Sequence, residues 1–209
     1  MATKIKCAPN GPLLVDGTCQ LDMGSENTLE PKPKMALCRC GESANKPFCD
    51  GAHAKVGFSD ARTRNLEKDE RLQFEGEKLT IRYDRKLCSH AAHCVTELPN
   101  VFKSGRDPWA IPDNAEPEQV KEVIQKCPSG ALSYEDNGKE TIDFDQTEAK
   151  IVIARDGPFY IKGGIELEGV ERSNGASAEH YALCRCGKSS IKPFCDGVHY
   201  DVEFKADGV

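Results

Sequence analysis

Hydrophobic residues in this chain come in short runs separated by turn formers, and the spacing inside each run predicts its element. Lys78 to Asp84 alternates apolar and polar positions, the period of a half-buried strand. Pro117 to Lys126 carries Val120, Val123 and Ile124, with Cys127 just beyond, at the i, i+3, i+4, i+7 positions of one helical face. Residues 11–21 (GPLLVDGTCQL) and 157–167 (GPFYIKGGIEL) flank a glycine turn with short apolar runs and predict β-hairpin-like elements. Asp136-Asn137-Gly138 predicts a tight turn. Arg62 to Glu77 is charged and reads as a linker. Short strands and one clear helix predict an α+β chain of small modules.

An internal repeat organises these elements. Residues 36–53 (ALCRCGESANKPFCDGAH) and 182–199 (ALCRCGKSSIKPFCDGVH) agree at fourteen of eighteen positions, at an offset of 146. The same offset aligns Gly11-Pro12 with Gly157-Pro158, Gly17 with Gly163, Leu21 with Leu167 and Phe58 with Phe204. About fifty residues at each end therefore form one duplicated unit, with an unrelated module between them. The expected boundaries are 1–61, a linker over 62–77, a middle module over 78–146, and 147–209.

Composition narrows the chemistry. Only 38% of residues are hydrophobic and 30% are charged, so small units held by something besides apolar burial are expected. A net charge of −6 argues against nucleic-acid binding. Ten acidic residues between positions 113 and 148 (Asp113, Glu116, Glu118, Glu122, Glu135, Asp136, Glu140, Asp143, Asp145, Glu148) read as a solvated face or as a docking patch for a basic partner. No run approaches the ~18 apolar residues of a membrane span, and Met1–Val15 has no signal-length apolar stretch. A cytoplasmic, bacterial setting is the expectation. Eleven cysteines, an odd number, cannot all pair in disulfides, and their spacing points to metal.

Each repeat spaces its donors as C-x-C-x8-C-x3-H: Cys38, Cys40, Cys49 and His53, then Cys184, Cys186, Cys195 and His199. A helix would bring Cys49 and His53, or Cys195 and His199, to one face, with Pro47 and Pro193 in its first turn. The metal would then sit near a helix N-terminus. Three thiolates and an imidazole suit an iron–sulfur centre, and structural zinc is the alternative. Asp50 and Asp196 either support the neighbouring ligand or cap the helix. Cys7 and Cys19 align with Ile153 and Ile165 and read as ordinary apolar thiols.

These motifs resemble the CDGSH iron–sulfur family, with the mitoNEET-type proteins as familiar members. Ser43 and Ser189, Pro47 and Pro193, Asp50 and Asp196, and Gly51 and Gly197 all match its pattern, whereas Ala52 and Val198 stand where a hydroxyl is common. The resemblance implies a [2Fe–2S] cluster in each copy, held by three cysteines and one histidine. It also implies two units that intertwine, here within one chain, as a monomer with an internal pseudo-dimer.

The middle module resembles a divergent single-cluster ferredoxin. Cys88 and Cys94 are the outer cysteines of a loop whose central position is Ala91, and Cys127-Pro128 is the distant partner. Three thiolates favour a [3Fe–4S] cluster. A [4Fe–4S] cluster with His90, His93 or water as the fourth ligand is the alternative, and a clusterless site the third. Phe102 and Trp109 read as core residues that would also shield the site. No nucleophile–base pair, phosphate loop or dinucleotide fingerprint appears. The expectation is a non-enzymatic single-electron carrier working with a redox partner protein, and the alternative is a cluster donor to an apo-acceptor or a redox or iron sensor.

Overall fold

A computed structural model describes residues 2–23, 28–30, 32–66, 70–144 and 148–208. The first repeat contributes β1 (Lys4–Cys7), β2 (Leu13–Asp16), β3 (Gln20–Asp22), β4 (Thr28–Leu29), β5 (Lys34–Leu37) and the short α1 (Ala52–Lys55). The middle module holds β6 (Leu72–Glu75), β7 (Thr80–Tyr83), α2 (His93–Glu97), α3 (Pro117–Gln125), β8 (Leu132–Asp136) and β9 (Lys139–Thr141). The second repeat adds β10 (Lys150–Ile153), β11 (Phe159–Lys162), β12 (Glu166–Glu168) and β13 (Tyr181–Leu183).

The two repeats exchange a strand. One sheet runs β12-β1-β2-β5 and a second runs β13-β11-β10-β3-β4. Shifting the first by 146 residues reproduces the second, with β4 as an extra edge. β12 of the second repeat lies parallel to β1, pairing Leu167 with Ile5, and β3 of the first lies parallel to β10, pairing Leu21 with Ile151. The stretches read as hairpins are therefore not hairpins. β2 and β3 flank Gly17 but enter different sheets, and β11 and β12 do the same. Local alternation is the same for a hairpin and for an exchanged strand; what differs is the partner. Exchange lets Ile5, Leu13, Leu21, Ile151, Ile153, Phe159 and Ile161, all fully buried, form one core. Each such side chain contributes ~1.5–3 kcal/mol by leaving water.

The middle module is a β6-β7-β8-β9 antiparallel sheet backed by α3, with α2 packed on α3. Helix α3 follows the predicted face, with Val120, Val123 and Ile124 buried. Glu116 and Gln119 close a reciprocal capping box at its start. The β8–β9 connection is the predicted turn, with Asn137 and Gly138 both at positive φ. The segment 62–77 is more than a linker. It contains β6, and the backbone N–H groups of Thr63 and Arg64 both donate to Ser190 O (2.9 and 3.1 Å). Among the described residues no helix is long and apolar enough to cross a membrane.

Candidate metal centres

A bridge between Leu37 and Phe48 positions the first donor set. Cys38 N donates to Pro47 O and Cys49 N to Ala36 O, both at 2.8 Å, so the third cysteine is laced beside the first two. The second repeat repeats this lacing: Leu183 bridges Phe194, Cys184 N donates to Pro193 O at 2.7 Å, and Cys195 N to Ala182 O at 2.9 Å. Ser43 Oγ and Ser189 Oγ each donate to the carbonyl of Phe48 or Phe194 at 2.7 Å and close the intervening loop. The predicted helix is reduced to one turn. α1 begins only at Ala52, after Gly51 at φ +87°, and the second copy has turns where the first has helix. Cys49 and His53 therefore do not share a helical face, and Pro47 and Pro193 lie in the preceding turn. Asp50 is a clamp: its carboxylate accepts from Ala44 N (2.8 Å) and Ala52 N (3.0 Å). Asp196 binds Ser190 N and Oγ and Val198 N in the same way.

The donors sort into pairs. Cys38 and Cys40 Sγ are 3.6 Å apart, and Cys49 Sγ is 3.4 Å from His53 Nδ1. In the second copy the distances are 3.8 and 3.5 Å. Two thiolates on one tetrahedral metal lie roughly 3.8 Å apart, and a thiolate and an imidazole roughly 3.5 Å. Among the described residues, no three of these donors lie within 4.8 Å of one another. A single tetrahedral ion would require all four to do so. The set fits a two-metal centre, with a cysteine pair at one metal and a Cys–His pair at the other, and it does not fit one zinc ion.

Burial sets the electrostatics. It raises the Cys40 thiol to about 11 and pushes Cys195 well up. Cys184 is raised as it donates to Cys186, whose own thiol is lowered by accepting that hydrogen bond. Burial lowers His199, with His90 adding to the effect. Such thiols ionise readily only when a cation compensates them, so metal loading must expel protons.

Cys88, Cys94 and Cys127 all line one cavity of about 520 Å³. Cys88 follows a 3-10 turn at Arg85–Leu87, Cys94 is on α2 and Cys127 follows α3. Burial and the two neighbouring thiols raise Cys94 to about 11. His90, His93 and Ala91 line the same cavity. So does Trp109, whose buried indole N–H has no acceptor among the described residues. Three spread thiols and an unused donor fit a polynuclear sulfide-containing cluster. Trp109 also packs on Phe74, Tyr83 and Phe102, and Phe102 is fully buried.

Several sequence candidates have other occupations. Cys19 is a buried core thiol, and Cys7 packs beside the same core. Much of the acidic stretch is paired within the module: Glu118 and Asp136 with Lys121, Glu122 with Lys126, Glu135 with Arg82, and Glu140 with Arg71. Asp145 lies outside the described residues. The sequence reading missed the junction between modules. A Cβ at Gly41 would stand 2.7 Å from Cys186 O and one at Gly187 2.5 Å from Cys40 O, so the two cysteine loops touch. A Cβ at Gly197 would stand 2.9 Å from Cys88 O, so the middle loop touches the second repeat. Asp143, Glu179 and His180 also converge, but backbone N–H groups and Ser177 already engage them.

Paired Cys3His donors and a three-cysteine cavity define the class: a protein built to hold iron–sulfur clusters. Comparison with known proteins gives the family. Residues 10–54 and 156–200 match the family described as "Iron-binding zinc finger CDGSH type", and residues 74–137 match "Divergent 4Fe-4S mono-cluster". The chain belongs to the CDGSH iron–sulfur family, with a divergent single-cluster ferredoxin domain between its two CDGSH units. "Uncharacterized protein YjdI" of Escherichia coli K12 is 38% identical over 61 residues, which cover 29% of this chain and 80% of that protein. YjdI of E. coli O157:H7 gives the same values. No solved structure matches the chain. CDGSH domains imply [2Fe–2S] clusters, and the middle match implies a 4Fe–4S-type cluster.

Proposed function

We propose that the chain is a single-electron carrier. Cys38, Cys40, Cys49 and His53 hold one [2Fe–2S] centre, and Cys184, Cys186, Cys195 and His199 hold the other. Cys88, Cys94 and Cys127 hold the third. That third centre is 4Fe–4S-type with a non-cysteine ligand at one iron, or [3Fe–4S] where that iron is absent. When bound, such clusters supply one-electron chemistry. The fold buries Cys38, Cys40, Cys184, Cys186, Cys195 and His199, fixes the cysteine pairs and presents one neutral imidazole in place of a thiolate. The observation that carries the reading is contiguity: Gly41 and Gly187 bring the repeat loops together, and Gly197 brings the middle loop to the second repeat. Its setting is the reducing cytoplasm, its partner a redox protein, and its state a monomer whose pseudo-dimer is internal.

Cluster donation is the second reading, and the half-buried Cys49 and His53 favour it. A dye-mediated redox titration followed by paramagnetic resonance tests the choice. Three centres that cycle with iron and sulfide retained support the carrier. Loss of a centre to an apo-acceptor within each cycle overturns it in favour of donation.

A further inference from the structure

The duplicated motif offers two equal donor sets, but the chain surrounds them unequally. Gly51 has nothing within 4 Å of where a Cβ would stand. Its counterpart Gly197 meets Cys88 O at 2.9 Å and the His90 ring at 2.9 and 3.1 Å. His53 and Cys49 are half-buried, whereas His199 and Cys195 are 5% and 4% exposed. Tyr200 lies over the His199 ring at 4.5 Å between centroids, stacks on His90 at 6.0 Å, and donates its hydroxyl to His90 O at 3.2 Å. At the equivalent position the first repeat has an exposed Ala54, and among the described residues no ring stacks on His53.

A second cover comes from residues 62–64. Arg62 Nε donates to Lys192 O at 2.6 Å, and Thr63 and Arg64 bind Ser190 O, so this segment lies along the second repeat's loop. Beneath it, Ile191 is fully buried where the first repeat has an exposed Asn45. Two of the residues that differ between the repeats follow the cover: Ile191 for Asn45, and Tyr200 for Ala54. Connectivity accounts for it. The segment and the middle module leave the end of the first repeat and fold back over the second.

We infer that the two Cys3His sites have divided roles: the first is the exchange face, open to solvent and to a partner, and the second is capped by His90 and Tyr200 of the junction. His90 and Tyr200 are positioning residues that close the way to His199. The inference rests on the proposal that both donor sets hold clusters.

The test follows iron loss from the holoprotein to EDTA at neutral pH. The [2Fe–2S] signals, histidine-ligated or all-cysteine, are counted by paramagnetic resonance in reduced aliquots at a temperature where the faster-relaxing middle centre is broadened out of the count. Two phases of equal amplitude are expected. His53→Cys slows the fast phase alone, and His199→Cys leaves it untouched. Tyr200→Ala with His90→Ala speeds the slow phase by about tenfold, the change expected when a hydrogen bond and its packing are removed from a closed state. Tyr200→Phe, which keeps the ring, gives a smaller change. Hydrogen exchange of the unmutated holoprotein provides a check without variants, with residues 195–202 protected and residues 49–56 exchanging. A single phase, a fast phase abolished by His199→Cys, or equal exchange of the two segments overturns the division. Purified protein lacking acid-labile sulfide would instead remove the cluster reading beneath it.

Discussion

A histidine in place of a fourth cysteine gives each CDGSH site its residue-scale character. Imidazole is neutral where thiolate is negative, so it raises the reduction potential, and its second ring nitrogen carries a proton near neutral pH. In both copies Nδ1 faces the paired cysteine, which leaves Nε2 as the proton-carrying atom. His53→Cys should lower the potential of the first centre by on the order of 100 mV and flatten its dependence on pH. Film voltammetry across pH 6 to 9 checks this, and an unchanged potential contradicts it. The candidate donors were legible in the sequence because their spacing is a covalent fact. Their local backbone was not. The i, i+4 spacing of Cys49 and His53 suggests a helix, yet Gly51 at φ +87° interrupts it, a conformation open to glycine that periodicity does not reveal.

At the scale of elements, the join between the middle module and the second repeat holds a buried histidine. His180 is fully buried, its Nδ1 is 2.9 Å from Ser177 Oγ, and Ser177 Oγ donates to Asp143 Oδ1 at 2.6 Å. Its Nε2 has no partner among the described residues, so the neutral ring is the one that fits. Burial lowers its pKa from 6.5 to about 4. The sign follows from linkage. A folded-state pKa below the unfolded one gives stability that is complete above about pH 6.5 and lost as pH falls towards 4. The full loss is roughly 3 kcal/mol. His180→Gln should flatten the acid side of the melting-temperature profile between those limits, and an unchanged slope would place the acid sensitivity elsewhere. Helix α3 and the β8–β9 turn were legible because each is determined locally, by a 3.6-residue period and by Asn137-Gly138. The exchanged strands were not, because Ile5 pairs with Leu167 and Leu21 with Ile151, far along the chain, and every local signal fits a hairpin equally well.

For the whole molecule, strand exchange makes the two repeats one folding unit. Residues 1–61 alone leave β1 and β3 without their parallel neighbours β12 and β10. That fragment should be unfolded or should pair with a second copy of itself, as sedimentation and circular dichroism will show; a folded monomer would contradict the shared core. The same connectivity lays residues 62–64 and the Cys88–His90 loop over the second repeat and leaves the first open. Sequence carried a trace of this in Asn45 against Ile191 and Ala54 against Tyr200. Such differences between repeats acquire meaning only once the covering segment is seen.

Electron carriage and the division of the two sites both require iron and inorganic sulfide at the two Cys3His sets. Metal and acid-labile sulfide analysis of protein purified without oxygen, read beside its Mössbauer spectrum, tests this most directly. Two [2Fe–2S] centres are expected, each with one iron in a nitrogen-containing site, plus the iron of a third cluster. Zinc at one ion per motif, with no labile sulfide, would contradict it.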